Sequence, residues 1–287
     1  MQYRVIYFPD PCMSLTEYSW KSFDGLDLYA LQWSSERPRA VIAFVHGHGD
    51  HCRRYDDWFS QLCSRNFSVI TFDYRGHGRS QGERGVIRRF DDLVMDVTVL
   101  VGHAKALFPG IPVVLYGHSL GGTVVLSYIL RSASKPALAL VTSPWLLLNK
   151  HPGVFLSALI KIASRVIPSV TLETGLHSSD FSSVEGFSEN REKDPYLHNR
   201  ISPGLFLEVE KEAKWLLTHL TEVNIPLLVM QGKADQIMNV DGMRRIFNRL
   251  TPKVSYVEWE NAGHQLHNSD QSSEVMDFII DWIKQRI

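Results

Sequence analysis

Short unbroken apolar runs alternate along most of this chain with longer stretches whose apolar residues recur at helical spacing. Ala40-Val41-Ile42-Ala43-Phe44-Val45 contains no polar residue, the pattern of a strand covered on both faces. A helix-like segment follows over 54–65, then a strand at Val69-Ile70-Thr71-Phe72 and a helix over 91–107. Val113-Val114-Leu115-Tyr116 predicts a strand, 123–130 a helix and 137–141 a further strand. Before this series, residues 18–33 alternate in polarity around Asp24-Gly25, a hairpin signal.

The rhythm stops at Ser143-Pro144. From Trp145 to about Pro203 no buried strand is predicted, only helix-like stretches and polar loops such as 178–190. It resumes with Pro226-Leu227-Leu228-Val229-Met230, a helix over 243–250, a strand over 254–259 and a closing helix over 274–287. Alternating strands and helices imply an α/β fold with a mostly parallel central sheet and helices on both faces. The expected organisation is a core in two parts, 1–144 and 206–287, interrupted by an inserted helical cap or lid over 145–205.

With 44% hydrophobic residues, the 287-residue chain can fill one large core. Its formal net charge of -1 gives no surface for a polyanion, so nucleic acid is excluded as a partner. Cys12, Cys52 and Cys63 are an odd number without C-x-x-C spacing, which fits a reducing, cytoplasmic compartment better than a disulfide framework or a zinc knuckle. The first residues, Met1 to Tyr7, lack the basic start and apolar core of a signal peptide, and no apolar run is long enough to span a bilayer.

Gly117-His118-Ser119-Leu120-Gly121 lies between a predicted strand and a predicted helix. A Ser at the apex of such a turn, with glycines letting the two elements pass closely, is a nucleophile elbow. A serine hydroxyl needs a base within hydrogen-bond reach, and the base needs an acid that fixes its tautomer. Reactive groups in such sheets collect beyond the carboxyl ends of the strands. The loop after 227–230 supplies Asp235, and the loop after 254–259 supplies His264. Asp241 is set aside as a helix N-cap before Gly242-Met243, and His267 as lying on the far side of the turn. The oxyanion needs two backbone amides: Leu120, directly after the nucleophile, and His48 in the glycine-rich loop after Val45.

Two rival readings carry less weight. His46-Gly47-His48-Gly49-Asp50-His51 packs three His and one Asp into six residues, which could hold zinc. A serine-based triad needs no metal or other cofactor, so none is expected. Gly76-His77-Gly78-Arg79-Ser80 looks like a phosphate loop but lacks the Gly-Lys-Ser ending, and is expected to pack beneath the site.

These segments together resemble the α/β-hydrolase superfamily, in the branch of monoacylglycerol lipases, bacterial lysophospholipases and serine aminopeptidase S33-like hydrolases. The run Gly76-His77-Gly78-Arg79-Ser80-Gln81-Gly82-Glu83-Arg84 is the feature most particular to that branch. The family usually has Glu where Asp50 stands. The resemblance covers the chain from about residue 18 onward. It implies an α/β-hydrolase fold and a serine carboxylic-ester hydrolase acting on a small lipid monoester, monoacylglycerol first. A lysophospholipase or broad carboxylesterase is the alternative, and a non-catalytic binding protein the distant one.

Residues 154–167 predict an amphipathic helix. Phe155, Leu159, Ile162 and Val166 form one stripe, with Leu156, Ile160, Ala163 and Ile167 beside it and Ser157, Lys161, Ser164 and Arg165 opposite. Such a face either packs on the core or forms a lid over an acyl tunnel that touches a membrane surface; the resemblance favours the lid. The chain is then expected to be cytoplasmic and peripheral at membranes.

Overall fold

The computed structural model describes residues 2–7, 13–182, 184, 187–250 and 252–287. Cys12 and Met1 lie outside the described residues, as do Ser183, Glu185 and Gly186 of the predicted polar loop. The chain begins with β1 (Gln2–Tyr7), β2 (Met13–Lys21) and β3 (Asp27–Ser35). The β2–β3 hairpin turns through Gly25 at φ 88, where Asp24-Gly25 predicted it. Then follow β4 (Ala40–Val45), α1 (Asp56–Ser64), β5 (Phe67–Phe72), α2 (Phe90–Leu107), β6 (Val113–His118), α3 (Leu120–Arg131) and β7 (Leu138–Thr142).

After β7 the chain leaves the sheet. It forms α4 (Val154–Val166), β8 (Leu172–Glu173), α5 (Phe187–Glu192), β9 (Arg200–Ile201) and α6 (Pro203–His219). The sheet resumes with β10 (Leu227–Gly232), followed by α7 (Val240–Phe247), β11 (Val254–Trp259) and α8 (Ser272–Lys284). The helix expected over 243–250 starts earlier, because Asn239 rather than Asp241 caps it: the Asn239 side chain accepts from the Gly242 amide at 2.7 Å.

Among the described residues nine strands share one sheet, in the order β1-β2-β3-β5-β4-β6-β7-β10-β11. Pairing is antiparallel from β1 to β5 and parallel from β5 to β11. The only pairing outside it that involves named strands is the short exposed β8–β9 ribbon, so 145–203 carries no buried strand among its described residues.

Side chains on β4 alternate between two cores. Val41, Ala43 and Val45 face the core under α2, α3 and α6; Ala40, Ile42 and Phe44 face the one under α1 and α8. This two-sided burial is why β4, β5, β6, β7 and β10 are fully buried along their length and why β4 reads as an unbroken apolar run. Strands β5 and β6, joined through α2, flank β4 on opposite sides, which is the switch in strand order where such sheets open a crevice at their carboxyl ends.

Candidate active site

Strand β6 ends at His118 and α3 starts at Leu120, so Ser119 alone makes the turn, at φ 53 and ψ -118. A non-glycine residue held there costs about 1–3 kcal/mol and persists only if its surroundings impose it. The Ser119 amide donates to the Thr142 carbonyl at 2.9 Å, and its carbonyl accepts from the Thr123 and Trp145 amides at 3.1 and 3.2 Å. The flanking glycines have a steric reason. A Cβ on Gly117 would collide with the Gly121 carbonyl, and one on Gly121 with the carbonyls of Val45 and His46.

The turn aims Ser119 at His264. Ser119 Oγ lies 3.0 Å from His264 Nε2, and His264 Nδ1 lies 2.9 Å from Asp235 Oδ2. All three residues are buried. The Asp235 carboxylate is fixed by further donors: the Ile237 and Met238 amides reach Oδ1 at 2.8 and 3.0 Å, and Gln231 Nε2 reaches Oδ2 at 2.5 Å. With the carboxylate accepting from Nδ1–H, Nε2 is left as the acceptor for the serine proton.

The residues set aside lie elsewhere. The Asp241 side chain is 74% exposed and pairs with Arg244 at 2.8 Å. His267 is half-buried in the turn after His264, its ring 4.4 Å from Tyr55 and 5.2 Å from His118.

Two supporting residues were not assigned from sequence. Gln231, in β10, donates to Asp235, and Ser143 Oγ donates to the His264 carbonyl at 2.8 Å. Ser143 directly follows β7, where the strand rhythm breaks, and that position was the available signal.

Leu120 is the first residue of α3, so its amide has no acceptor within the helix and sits at the positive end of the dipole. The His48 loop is close by: a Cβ on Gly47 would stand 3.2 Å from Ser119 Cβ. His48 lines the same cavity as Ser119 and His264. Its ring contacts the Arg200 carbonyl at 2.9 Å, and burial pushes its pKa down to about 4.

The other groups of this loop are engaged separately. His46 Nδ1–H donates to the Gly47 carbonyl at 2.8 Å while Nε2 accepts from the Tyr74 amide at 3.1 Å. Asp50 accepts from Tyr55 at 3.1 Å, and His51 pairs with Asp194 at 2.9 Å. Among the described residues no three such side chains are arranged to hold a metal ion. The Gly76–Ser80 loop is tied down from below, with Asp73 accepting from the Cys52 and Arg79 amides at 2.8 Å each and Ser80 donating to the Asp73 carbonyl at 2.6 Å.

Ser119 and His264 open into a cavity of about 890 Å³. Trp145, Leu148, Phe206, Ile237 and Met238 give it apolar walls; Arg191, Asp194 and Asp180 give it a polar side. Helix α4 stands nearby with none of its residues buried. Ile160, Ala163, Ser157 and Ser164 are its half-buried positions, so the serines assigned to the outer side are less exposed than the apolar stripe. Phe155 is 78%, Ile162 60% and Val166 73% exposed.

Residues 36–271 match the family described as serine aminopeptidase, S33. A monoacylglycerol lipase of Mycolicibacterium smegmatis is 26% identical over 273 residues, spanning 93% of this chain and 96% of that protein. An abhydrolase domain-containing protein of Dictyostelium discoideum is 29% identical over 255 residues; these span 88% of this chain but only 27% of that longer protein. The crystal structure of a Paleococcus ferrophilus monoacylglycerol lipase superposes with a TM-score of 0.81 at 28% identity, over 91% of this chain and 99% of the other. The chain belongs to the serine aminopeptidase S33 family of α/β-hydrolases, in the branch that holds the monoacylglycerol lipases.

Proposed function

We propose that this hydrolase is a serine carboxylic-ester hydrolase that cleaves lipid monoesters, with monoacylglycerol as its first substrate. The observation that carries the reading is the chain of contacts from Ser119 through His264 to Asp235, at 3.0 and 2.9 Å. Ser119 attacks the ester carbonyl while His264 takes its proton. The Leu120 and His48 amides hold the oxyanion, and Asp235 keeps His264 in the accepting tautomer and stabilises the imidazolium. His264 then protonates the leaving alcohol, and a water deacylates the enzyme by the same route in reverse.

The apolar walls of the cavity support a lipid acyl group. Each buried methylene contributes about 0.8 kcal/mol, so a few added carbons change affinity by an order of magnitude or more. Residues 145–205 act as the cap, and the exposed stripe of α4 rests on the lipid surface that delivers the substrate. Among the described residues no helix is long and apolar enough to cross a membrane, so contact of this kind is peripheral.

The test is a hydrolysis panel of monoacylglycerols, lysophospholipids and p-nitrophenyl esters of graded length, run beside fluorophosphonate labelling. Labelling that depends on Ser119, with monoacylglycerol the preferred ester, is the expected outcome. Absence of labelling defeats the serine mechanism; equal rates on every ester defeat the lipid assignment.

A further inference from the structure

Arg191, in α5, lines the same cavity as Ser119 and His264. Its guanidinium lies 4.1 Å from the Phe181 ring centroid. Among the described residues its buried Nη1 has no hydrogen-bond partner and the side chain makes no ion pair. The two carboxylates nearest in charge are already engaged: Asp50 with Arg54 at 3.2 Å and Asp194 with His51 at 2.9 Å. A guanidinium does not shed its proton, so a buried unpaired donor there is costly unless a ligand completes it. Burial moves Arg191 below the ordinary arginine pKa, as expected of a cation without a close counter-charge.

Its place in the cavity says which part of the substrate it meets. The Phe181 carbonyl accepts from the Gln265 amide at 3.0 Å, and the Phe181 ring lies 5.9 Å from that of His264. Arg191 therefore lies on the wall of the cavity next to the base, and as one of its polar lining residues it suits the alcohol half of the ester better than the acyl chain. Extended, the glycerol spacer between an ester oxygen and a phosphorus reaches roughly 6 Å. A planar fork of donors matches phosphate oxygens two at a time.

We propose that Arg191 anchors an anionic group on the leaving alcohol, so that the site takes monoacylglycerol phosphates, in which a glycerol separates ester from phosphate. This rests on the ester-hydrolase reading above.

The experiment compares kcat/KM for 1-oleoylglycerol 3-phosphate and 1-oleoylglycerol in mixed micelles, in the full chain and in R191Q and R191K. At low salt the phosphate-to-neutral ratio is expected to fall at least tenfold from the parent to R191Q and to recover in part in R191K. An unchanged ratio in R191Q, an equal loss on both esters, or a parent that cleaves only the neutral ester overturns the assignment. Labelling by an uncharged fluorophosphonate reports whether each variant is folded; if R191Q fails to label, an unchanged ratio in R191K overturns it instead. Inhibition by inorganic phosphate that depends on Arg191, without turnover of the phosphate ester, would mark a free-phosphate site and also overturns it. A parent that neither labels nor cleaves any ester fails the underlying reading, a distinct result.

Discussion

Ser143 Oγ holds the His264 carbonyl at 2.8 Å, across 121 positions of sequence. Ser143 itself sits at φ 45, and its amide donates to the Met230 carbonyl at 2.9 Å, at the strand that leads to Asp235. One residue thus links the loop of the base to the strand of the acid. Ser143→Ala leaves the His264 carbonyl without this donor, a loss of about 1–3 kcal/mol. We expect kcat to fall about tenfold with little change in KM, since 1.36 kcal/mol on the barrier is a factor of ten. Steady-state kinetics on a soluble ester, with a melting curve beside them, check this; an unaffected kcat would make the contact merely structural.

The acid can be tested against its neighbour in sequence. Asp235 is buried and held by two backbone amides as well as His264, whereas Asp241 is exposed and pairs with Arg244. Asp235→Asn should cost roughly 10⁴ in kcat, because the amide no longer enforces the accepting tautomer. Ser119→Ala should cost on the order of 10⁶. Asp241→Asn should stay within about twofold, as surface changes usually do. Comparable losses for Asp235 and Asp241 variants would refute the assignment.

The elbow itself predicts a folding defect rather than a kinetic one. Gly121→Ala pushes a methyl into the carbonyl of Val45, which ends β4, and into that of His46 directly after it. Neither side can yield, so the cost should exceed about 3 kcal/mol, beyond the usual range of single substitutions. Urea unfolding should show a midpoint shift of that size or an insoluble product. A near-normal midpoint would mean that α3 can shift away from β4.

Acid should weaken the folded protein through imidazoles that are partly withdrawn from water. Burial pushes His48 down to about 4 and His198 down to about 3, against roughly 6.5 in an unfolded chain. Between those values the unfolded state binds the extra protons, so stability is complete above about pH 6.5 and is lost progressively as pH falls toward 4. Melting temperatures across that window should decline with falling pH, and His198→Gln should shallow the decline. A flat profile over the window would contradict the buried neutral state.

What the sequence revealed follows from which interactions are local. The β4, β6 and β10 strands were legible because burial on both faces keeps them apolar up to their carboxyl ends, where Gly117-His118 and Gln231-Gly232 follow in β6 and β10. The approach of Ser119, Asp235 and His264 followed from the same logic, since each lies on a loop leaving the carboxyl end of a strand. Helix α6 was missed because its inward face carries Glu212, buried by hydrogen bonds from Ser127 at 2.7 Å and Arg131 at 2.6 Å. A charge on the core side breaks the apolar pattern, and its partners are not neighbours in sequence. Ser143 and Arg191 were invisible for the same reason: their significance depends on what other segments bring to them. For α4 the helix was legible but its orientation was not, because apolar residues cover too much of its circumference to say which part packs on α6.

That orientation makes a last prediction about α4. Phe155, Ile162 and Val166 are already in water, so Ser at all three positions removes little packing within the protein. The same side chains would each contribute about 1.5–3 kcal/mol if carried fully into an apolar phase, and less at partial depth. Even partial insertion of three side chains exceeds the 1.4 kcal/mol that a tenfold change requires. The triple variant should therefore bind phospholipid vesicles at least tenfold more weakly in a flotation assay. Its hydrolysis of vesicle-borne monoacylglycerol should fall by a similar factor relative to a water-soluble short-chain ester, while Lys161 and Arg165 remain to engage anionic head groups. If the vesicle and soluble rates fall together, the stripe belongs to the tunnel and not to the membrane-facing surface.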